Sequence, residues 1–561
     1  MSELTRSQKA RVAIRSFKTG VDAIGLRGYY RPKDLLGQAL ADSLRTLSPE
    51  IYGSMNDPRV VELKGLEYVI DRLPRGIERC NRIILTEESG FEGTNFEKIE
   101  PPKRRRISYM VSATEMCFVI TRGLSEIYDI MTHLTFLTIE AKKIQERMRD
   151  ESGHLTVEWK ELEKLVHAAP LSGGELDQAL WNLSILLGRS FQETRETFES
   201  LEVGRKEGNS NAGLFALVYH LGRRVDGEKQ SPENALIVYL TPALMNSIGH
   251  HKYGKPWAND IKAKLVELGL AERPLHIISA NLHSVVNLLY GPAALAAAGD
   301  KAGVGDVVSM VCRLIEQKTD VCATGAASGL VPLPDRSGTH VDCQIIDTAL
   351  LGPEMAHPDL CLTPLNEAAV KPVILVMDYA FGIQAFELME NLLYPHWEDD
   401  RKRLLNIRSI AVMGKAGILT GNKGEIMLAT AHVIEGTTDN YTVPNDLAAE
   451  DFETAIPIHT GPMLTVVGTS LQNRDVLYRI QRGWNAVGLE MEGGHYQRAI
   501  NAAIIKGNIP PETKTRYAYY ASDNPLKSGQ TLASGPMGQD GLAPTYLITK
   551  VLLEKILADP G

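Results

Sequence analysis

The chain has 561 residues, of which 44% are hydrophobic and 23% are charged, and its formal net charge is -9. At roughly 100–200 residues per domain this length predicts about three domains. The acidic balance argues against nucleic acid as the main partner, because a phosphate-binding surface normally needs an excess of basic residues. The short basic run at 103–106 is interpreted as a solvated linker.

Cysteine use and hydropathy favour a protein of a reducing compartment. The six cysteines include no CxxC pair, so neither a disulfide framework nor a zinc site of that type is expected. The N-terminus has no apolar run typical of a signal peptide. The longest uncharged apolar stretch, at 284–299, is short for a membrane span. We therefore expect a cytoplasmic protein with no membrane partner.

Residues 1–225 are predicted to form a mainly helical N-terminal domain without a catalytic site. The clearest helix is expected over 107–149, where apolar residues from Met110 to Leu137 recur at helical spacing. This stripe needs a covering surface, so we expect the region to pack on the α/β half of the chain or on another subunit. Further helices are predicted at 156–166, 175–187 and 191–203.

Residues 226–340 are predicted to form an α/β accessory region. Short apolar runs alternate here with helical patterns, which suggests a parallel sheet covered by helices. Residues 322–339 are rich in Gly, Ala, Ser and Pro and are interpreted as a linker or mobile loop. Strands are predicted at 235–240 and 275–280, and helices at 260–268, 282–289 and 307–315.

Residues 341–561 are predicted to form an α/β domain with a central twisted mixed sheet and helices on both faces. The alternation of strand-like and helical segments continues to a helix at 545–557. A second helix is predicted at 382–393, and the strands are predicted at 373–377, 409–413, 426–431, 463–468, 485–489 and 517–521.

The first candidate site segment is Gly414–Leu419, predicted as a turn after the strand at 409–413. Small residues in this turn would let the backbone approach a flat ligand closely.

The second segment is Gly488-Leu-Glu-Met-Glu-Gly-Gly494. A strand would place Glu490 and Glu492 on the same side, and carboxylates can accept hydrogen bonds from vicinal ribose hydroxyls. The alternative is a pair of solvated glutamates at a strand end.

The third segment is Tyr520-Ala-Ser-Asp-Asn-Pro-Leu526. Asp523 emerges from the carboxyl end of a strand, where open α/β sheets place their ligands. The alternative is an Asn-Pro turn in which Asp523 is a local cap.

In this order the three segments resemble those of the nucleoside phosphorylase/nucleosidase superfamily, which includes purine nucleoside phosphorylases and methylthioadenosine/adenosylhomocysteine nucleosidases. The likeness is greatest to AMP nucleosidases, on the loop at 443–445 and on 522–527. The stretch at 378–384 sits where the family has a Ser-Gly-Ile-Gly-like turn. The resemblance implies a phosphorylase-like sheet for the C-terminal domain and cleavage of an N-glycosidic bond. No Walker A loop or G-x-G-x-x-G is present and the histidine spacings match no standard ligand pattern, so we expect neither a cofactor nor a metal.

The resemblance also implies roles for individual residues. Asp523 would be the general acid that protonates N7 of the base, which requires a raised pKa. Glu492 would hold the ribose hydroxyls, and Glu354 would activate the attacking water from its place after the strand at 343–349. The remaining substrate-binding residues that the resemblance implies are Gly414, Lys415, Ala416, Gly417, Glu490, Met491, Ser522 and Lys527.

The sequence departs from the family pattern in the longer connection from Glu492 to Asp523 and at three further places. Lys415 replaces a small or polar residue, Ile418 replaces a glycine, and Tyr379–Phe381 replaces small polar residues. Two alternatives to a nucleosidase therefore stay open: a nucleotide-binding sensor or scaffold, and a phosphate-dependent purine nucleoside phosphorylase. The favoured substrate is a purine nucleotide such as AMP, whose 5′-phosphate Lys415 or Lys527 would meet. Family members assemble into oligomers, so we expect a homo-oligomer.

Overall fold

The computed structural model describes residues 4–87, 90–99, 106–167, 173–206, 213–248, 252–300, 303–398, 401–527 and 537–558. These residues fall into two compact units. The first contains 1–250 together with 468–476, and the second contains 251–467 and 477–561. The three predicted regions are therefore not reproduced, because the predicted accessory region contributes strands to the sheet of the second unit.

The N-terminal unit is mainly helical, as predicted, and it also contains a six-stranded mixed sheet. Its helices are α1 (Arg6–Arg27), α2 (Leu35–Leu47), α3 (Leu63–Ile70), α4 (Gly123–Arg147), α5 (Val157–Val166), α6 (Gly173–Leu187), α7 (Phe191–Lys206), α8 (Leu214–Gln230) and α9 (Pro242–Ser247). Its strands are β1 (Tyr29–Tyr30), β2 (Arg82–Thr86), β3 (Glu97–Ile99), β4 (Ser108–Ser112), β5 (Glu115–Val119) and β6 (Ile237–Leu240), in the order β1-β6-β2-β5-β4-β3.

The predicted helix over 107–149 is wrong in its first part. Residues 108–119 form the antiparallel hairpin β4–β5, in which Tyr109 is opposite Cys117, and β5 pairs in parallel with β2. Helix α4 begins only at Gly123. Its apolar side chains are buried within this unit, where α4 packs against α2 and α8. The expected cover from the α/β half or another subunit is therefore not needed for this stripe.

The basic run at 103–106 was predicted to be a solvated linker, and this prediction is wrong for its last residue, Arg106. The guanidinium of Arg106 is buried and forms an ion pair with Asp129 of α4. Residues 103–105 lie outside the described ranges.

The second unit is an α/β fold. The helices along this part of the chain are α10 (Gly254–Glu267), α11 (Leu282–Ala297), α12 (Val307–Glu316), α13 (Val321–Ala326), α14 (Thr363–Glu367), α15 (Gln384–Leu392), α16 (Arg474–Trp484), α17 (Gly493–Ile505) and α18 (Leu542–Leu557). The strands are β7 (Leu275–Ser279), β8 (Leu330–Leu333), β9 (Cys343–Asp347), β10 (Val373–Met377), β11 (His396–Glu398), β12 (Arg401–Arg403), β13 (Ile407–Ile418), β14 (Ile426–Ile434), β15 (Asn440–Thr442), β16 (Ile458–Thr465), β17 (Gly488–Glu490) and β18 (Lys514–Asp523).

Ten of these strands form one mixed sheet with the order β15-β14-β16-β17-β13-β7-β10-β9-β8, and β18 pairs with both β13 and β14. Strands β13, β17, β16, β14 and β18 therefore close into a ring, and β7, β10, β9 and β8 extend from β13. Residues 322–339, interpreted as a linker or mobile loop, instead contain most of α13 and the edge strand β8.

Helices cover both faces of the sheet, as predicted. Successive strand residues point to opposite faces, so Ile277 joins the core packed against α10, α15 and α17, whereas Ile278 joins the core packed against α11, α12 and α18. Strand β10 is apolar throughout because both of its faces are buried. No helix among the described residues is long and apolar enough to cross a membrane.

Candidate active site

The three segments singled out in the sequence lie side by side in the sheet. Gly417 of β13 is the register partner of Leu489 in β17 on one side and of Asp523 in β18 on the other. Neighbouring strands are ~4.8 Å apart, so Leu489 and Asp523 are separated by about 10 Å. A bulge between Ala416 and Gly417 shifts the register at this point. The three segments are thus on neighbouring strands of the sheet.

The segment at Gly414–Leu419 is not a turn, contrary to the prediction. Strand β13 continues to Ile418, because β18 and β17 pair with its second half. Gly414 lies against the ring of Tyr379, since a Cβ on Gly414 would be 3.3 Å from Tyr379 Cε1. The Tyr379 side chain is 42% exposed. This aromatic surface beside bare backbone is suited to stacking with a flat ring.

Asp523 ends β18 and is buried, with 2% exposure. The hydroxyl of Ser522 donates to Asp523 Oδ1, and the Ser522 Oγ also lies 3.2 Å from the carbonyl oxygen of Ala416. The amide of Asn524 donates to the Gly421 carbonyl at 2.8 Å, which fixes the Asn-Pro turn that follows. The strand end and this turn together enclose the Asp523 carboxyl group.

Glu492 lies at the N-cap position of α17 and is half-buried. Its Oε1 accepts a hydrogen bond of 2.9 Å from the backbone N–H of Gly382. Gly382 has a φ of 57°, a left-handed conformation that glycine adopts at little cost. The Glu492 carboxylate is therefore turned toward the segment that follows β10, at the carboxyl end of that strand.

Glu490 does not share the direction of Glu492, contrary to the prediction, because β17 ends at Glu490 and the chain then turns into α17. Glu490 is buried, and its carboxylate faces Thr465 and His432. Burial raises its pKa, but His432 and Thr465 outweigh that effect, so that the pKa lies below its ordinary value. The enclosed Glu490 carboxylate faces donors of the protein, and Met491 is also buried.

Glu354, expected to activate the attacking water, follows strand β9. Strand β9 is antiparallel to β10, with Asp347 opposite Val373. The chain therefore leaves β9 at the amino end of β10, whereas Asp378 follows its carboxyl end about 13 Å away, at ~3.3 Å per residue. Glu354 is exposed.

The two lysines expected near a phosphate are both exposed. Lys415 is the register partner of Tyr520, next to Gly414. The ammonium group of Lys527 donates to the side chain of Asn422. Only Lys415 is placed in the strand at the centre of the site.

Sequence reasoning missed polar residues that follow β7 and β10. Asn281 caps α11 at the carboxyl end of β7, and His283 in the first turn contacts the Tyr546 hydroxyl at 3.2 Å. Desolvation by its surroundings lowers the pKa of His283, and the charge of Asp378 acts in the opposite direction. Their position directly after the predicted strands at 275–280 and 373–377 was a usable signal.

A cavity of about 540 Å³ lies elsewhere in the unit, between α10 and β8. It is lined by Trp257, Ile261 and Leu333, with Asp260, Lys264, Asp335 and Arg336 among the charged residues around it. None of the residues that line it belongs to the three segments. Among the residues described, no group of three or more His, Cys, Asp or Glu side chains is arranged to hold a metal ion.

Comparison with solved structures finds nucleosidases and phosphorylases. A methylthioadenosine/S-adenosylhomocysteine nucleosidase of Campylobacter jejuni has 11% identity and a TM-score of 0.31, over 51% of this chain and 99% of that one. A futalosine hydrolase of Helicobacter pylori has 12% identity and a TM-score of 0.30, over 51% and 99%. A Toxoplasma gondii purine nucleoside phosphorylase has 13% identity and a TM-score of 0.28, over 52% and 91%. At these values the likeness does not transfer an activity to this chain.

A family profile matches most of the chain, at residues 38–199 and 314–558. The chain belongs to this family, which is described as a family of unknown function (DUF6909). No curated protein matches the chain.

Proposed function

We propose that the C-terminal unit hydrolyses the N-glycosidic bond of a purine nucleotide or nucleoside and releases the free base. The observation that carries this proposal is the register of β17, β13 and β18, which brings Asp523 and the Glu490–Glu492 segment to either side of Gly417. An acid and a carboxylate separated by bare backbone are the groups that this reaction requires.

Breaking the bond between C1′ and N9 leaves electrons on the base and positive charge on the ribose. Asp523 would transfer a proton to N7 as general acid, which neutralises the leaving base. Glu492 would accept hydrogen bonds from the ribose hydroxyls, and its negative charge would stabilise the positive ribose. Tyr379, exposed beside Gly414, would stack on the base.

The water that attacks C1′ must lose a proton to a base. Asp378 and His283 follow strands β10 and β7 at their carboxyl ends, where they could take this proton. Because its pKa is lowered, His283 favours the neutral form, which can accept a proton. We therefore assign the base to His283, with Asp378 stabilising the imidazolium that forms.

The substrate we favour is AMP. Lys415 is an exposed cation in the strand that carries Gly414, and it would meet the 5′-phosphate as a point charge. Lys527, the other candidate, lies beyond the end of β18 and donates to the Asn422 side chain. That the enzyme is a homo-oligomer stays a prediction.

The test is incubation of the purified protein with AMP, adenosine, inosine and guanosine, with and without phosphate, followed by chromatography of the free base. Phosphate-independent release of base with free ribose or ribose 5-phosphate is expected. Release that requires phosphate and yields ribose 1-phosphate would favour the phosphorylase alternative. Binding of these compounds without release of base would favour the sensor alternative.

A further inference from the structure

The start of α17 is capped in an unusual way. The backbone N–H of Glu492 donates to Glu490 Oε2 at 2.5 Å, and the N–H of Gly493 donates to the same oxygen. The N–H of Gly494 donates to the hydroxyl of Thr465 at 3.0 Å. These groups would otherwise have no partner, because the first four N–H groups of a helix make no bond within it.

The residue at the N-cap normally supplies this acceptor from its own side chain. Glu492 occupies the N-cap of α17 but makes no side-chain cap bond. Its carboxylate instead accepts the N–H of Gly382 at 2.9 Å. Since Glu490 and Thr465 satisfy the helix start, the Glu492 side chain is released from it and extends toward the carboxyl end of β10.

Glu490 is itself held on its other side. Thr465 Oγ1 donates to Glu490 Oε1, and His432 Nδ1 lies 3.3 Å from the same oxygen. His432 is fully buried and packs edge-on against the rings of Tyr517 and Tyr519. The first turn of α17 fits closely here, since a Cβ on Gly493 would overlap both His432 and Tyr519.

We infer that Glu490 is a positioning residue, which caps α17 in place of Glu492 and thereby aims the Glu492 carboxylate at the ribose hydroxyls of the substrate. His432 and Thr465 fix the Glu490 carboxylate from behind. The identity of the ligand in this inference rests on the proposed function, whereas the capping geometry does not depend on that function.

The substitution that tests the inference is Glu490→Gln. A carboxylate offers two acceptor oxygens, and here they face two backbone N–H groups, the Thr465 hydroxyl and His432. Glutamine keeps the shape but has only one acceptor, so its NH₂ group must face a donor. A matched control is Glu140→Gln in the N-terminal unit, because the buried Glu140 accepts the N–H of Glu62, the N-cap residue of α3, at 2.8 Å.

The first measurement is amide hydrogen exchange at Gly382, which reports the Glu492 carboxylate directly and needs no ligand. A hydrogen bond to a charged group is worth enough to slow exchange by about 10–100-fold. Glu490→Gln and Glu492→Ala, which removes the acceptor, should both accelerate exchange at Gly382 by that factor, whereas Glu140→Gln should leave it unchanged. Wild-type protection at Gly382 in Glu490→Gln would overturn the inference, and so would loss of protection along the whole of α17.

The second measurement compares the affinities of adenosine and 2′,3′-dideoxyadenosine. The wild type should prefer adenosine by about 10–100-fold, the value of a charged hydrogen bond, and Glu490→Gln should lose this preference while binding adenine as before. In the Glu492→Gln background Glu490→Gln should add nothing further. A wild type that binds no purine compound would overturn the proposed function, while exchange at Gly382 still decides the positioning role. If Glu490→Gln reduced the preference for adenosine equally in the wild type and in the Glu492→Gln variant, the positioning role would be contradicted.

Discussion

The two units of this protein use the same device at a helix start, with different results. In the N-terminal unit, the N–H of Glu62 donates to the buried Glu140, and the Glu62 carboxylate caps its own helix through Gly65 N at 3.2 Å. In the C-terminal unit, the N–H of Glu492 donates to the buried Glu490, but its carboxylate accepts from Gly382 instead.

The two buried acids, Glu140 and Glu490, differ in what surrounds them. Glu140 has Lys143 at 3.0 Å, and the Glu62 carboxylate is used within the same cluster. The Glu490 cluster instead leaves the neighbouring Glu492 carboxylate directed at the segment that follows β10. Buried acids are common to both units, and the two arrangements differ in the direction of the N-cap carboxylate.

The largest effect expected from this contrast is that of Asp523→Asn. The amide keeps the shape of the side chain but cannot protonate the base, and general acid catalysis is worth about 10²–10⁴-fold. Base release from AMP should fall by at least ~10²-fold. Asp226→Asn is the control, since Asp226 is equally buried but pairs with Arg149 in the N-terminal unit. Equal activity of Asp523→Asn and wild type would place the acid elsewhere.

The next largest effect is expected when Glu492→Gln and Glu62→Gln are compared in kcat/KM and in the free energy of unfolding. Loss of a charged hydrogen bond to the ribose should lower kcat/KM by about 10–100-fold, with little change in the free energy of unfolding. Glu62→Gln should instead cost ~0.5–2 kcal/mol of stability, as for other helix caps, and leave kcat/KM unchanged. Steady-state kinetics and urea unfolding separate the two; a pair of variants with the same phenotype would abolish the distinction between the units.

A smaller effect is expected from Gly493→Ala, which tests how closely α17 fits its capping cluster. The added Cβ would overlap His432 and Tyr519, and overpacking of this kind costs ~1–3 kcal/mol. Gly483→Ala in α16 is the matched control, because no atom lies within 4 Å of the added group. Thermal unfolding should distinguish the two variants, and unchanged stability of Gly493→Ala would mean that the cluster is loosely packed.

An effect of comparable size concerns the pH dependence of the N-terminal unit. Burial raises the pKa of Glu140 to about 7 from an ordinary value of 4.5, although Lys143 opposes the shift. The folded protein then binds more protons than the unfolded chain between these values, so this group lowers stability as the pH rises through the window. Relative to wild type, Glu140→Gln should gain ~1–3 kcal/mol of stability between about pH 4.5 and 8. Urea unfolding at several pH values that gave parallel curves would contradict the shift.

Much of the fold could be predicted because its signals are local. The strand at 373–377 and the helices at 175–187 and 191–203 stand out by periodicity and by the residues that bound them. The hairpin over 108–119 could not be predicted, since its apolar residues also fit helical spacing. Its stability comes from pairing with β2, which is distant along the chain.

The candidate site divides in the same way. Asp523 and Gly414–Leu419 could be placed together because an ordered set of motifs marks them. The opposite directions of Glu490 and Glu492 depend on a helix start that the sequence pattern does not indicate. The position of Glu354 depends on the antiparallel direction of β9, and strand direction is set by long-range pairing.

The central claim is that Asp523, Glu492 and the backbone at Gly414 form one nucleoside site. The most direct measurement is a crystal structure of the Asp523→Asn variant, which should not turn over its substrate, grown with AMP. We predict a bound nucleotide whose base lies beside Tyr379, with N7 facing residue 523 and the ribose hydroxyls on Glu492. Intact AMP bound away from these residues would contradict the account.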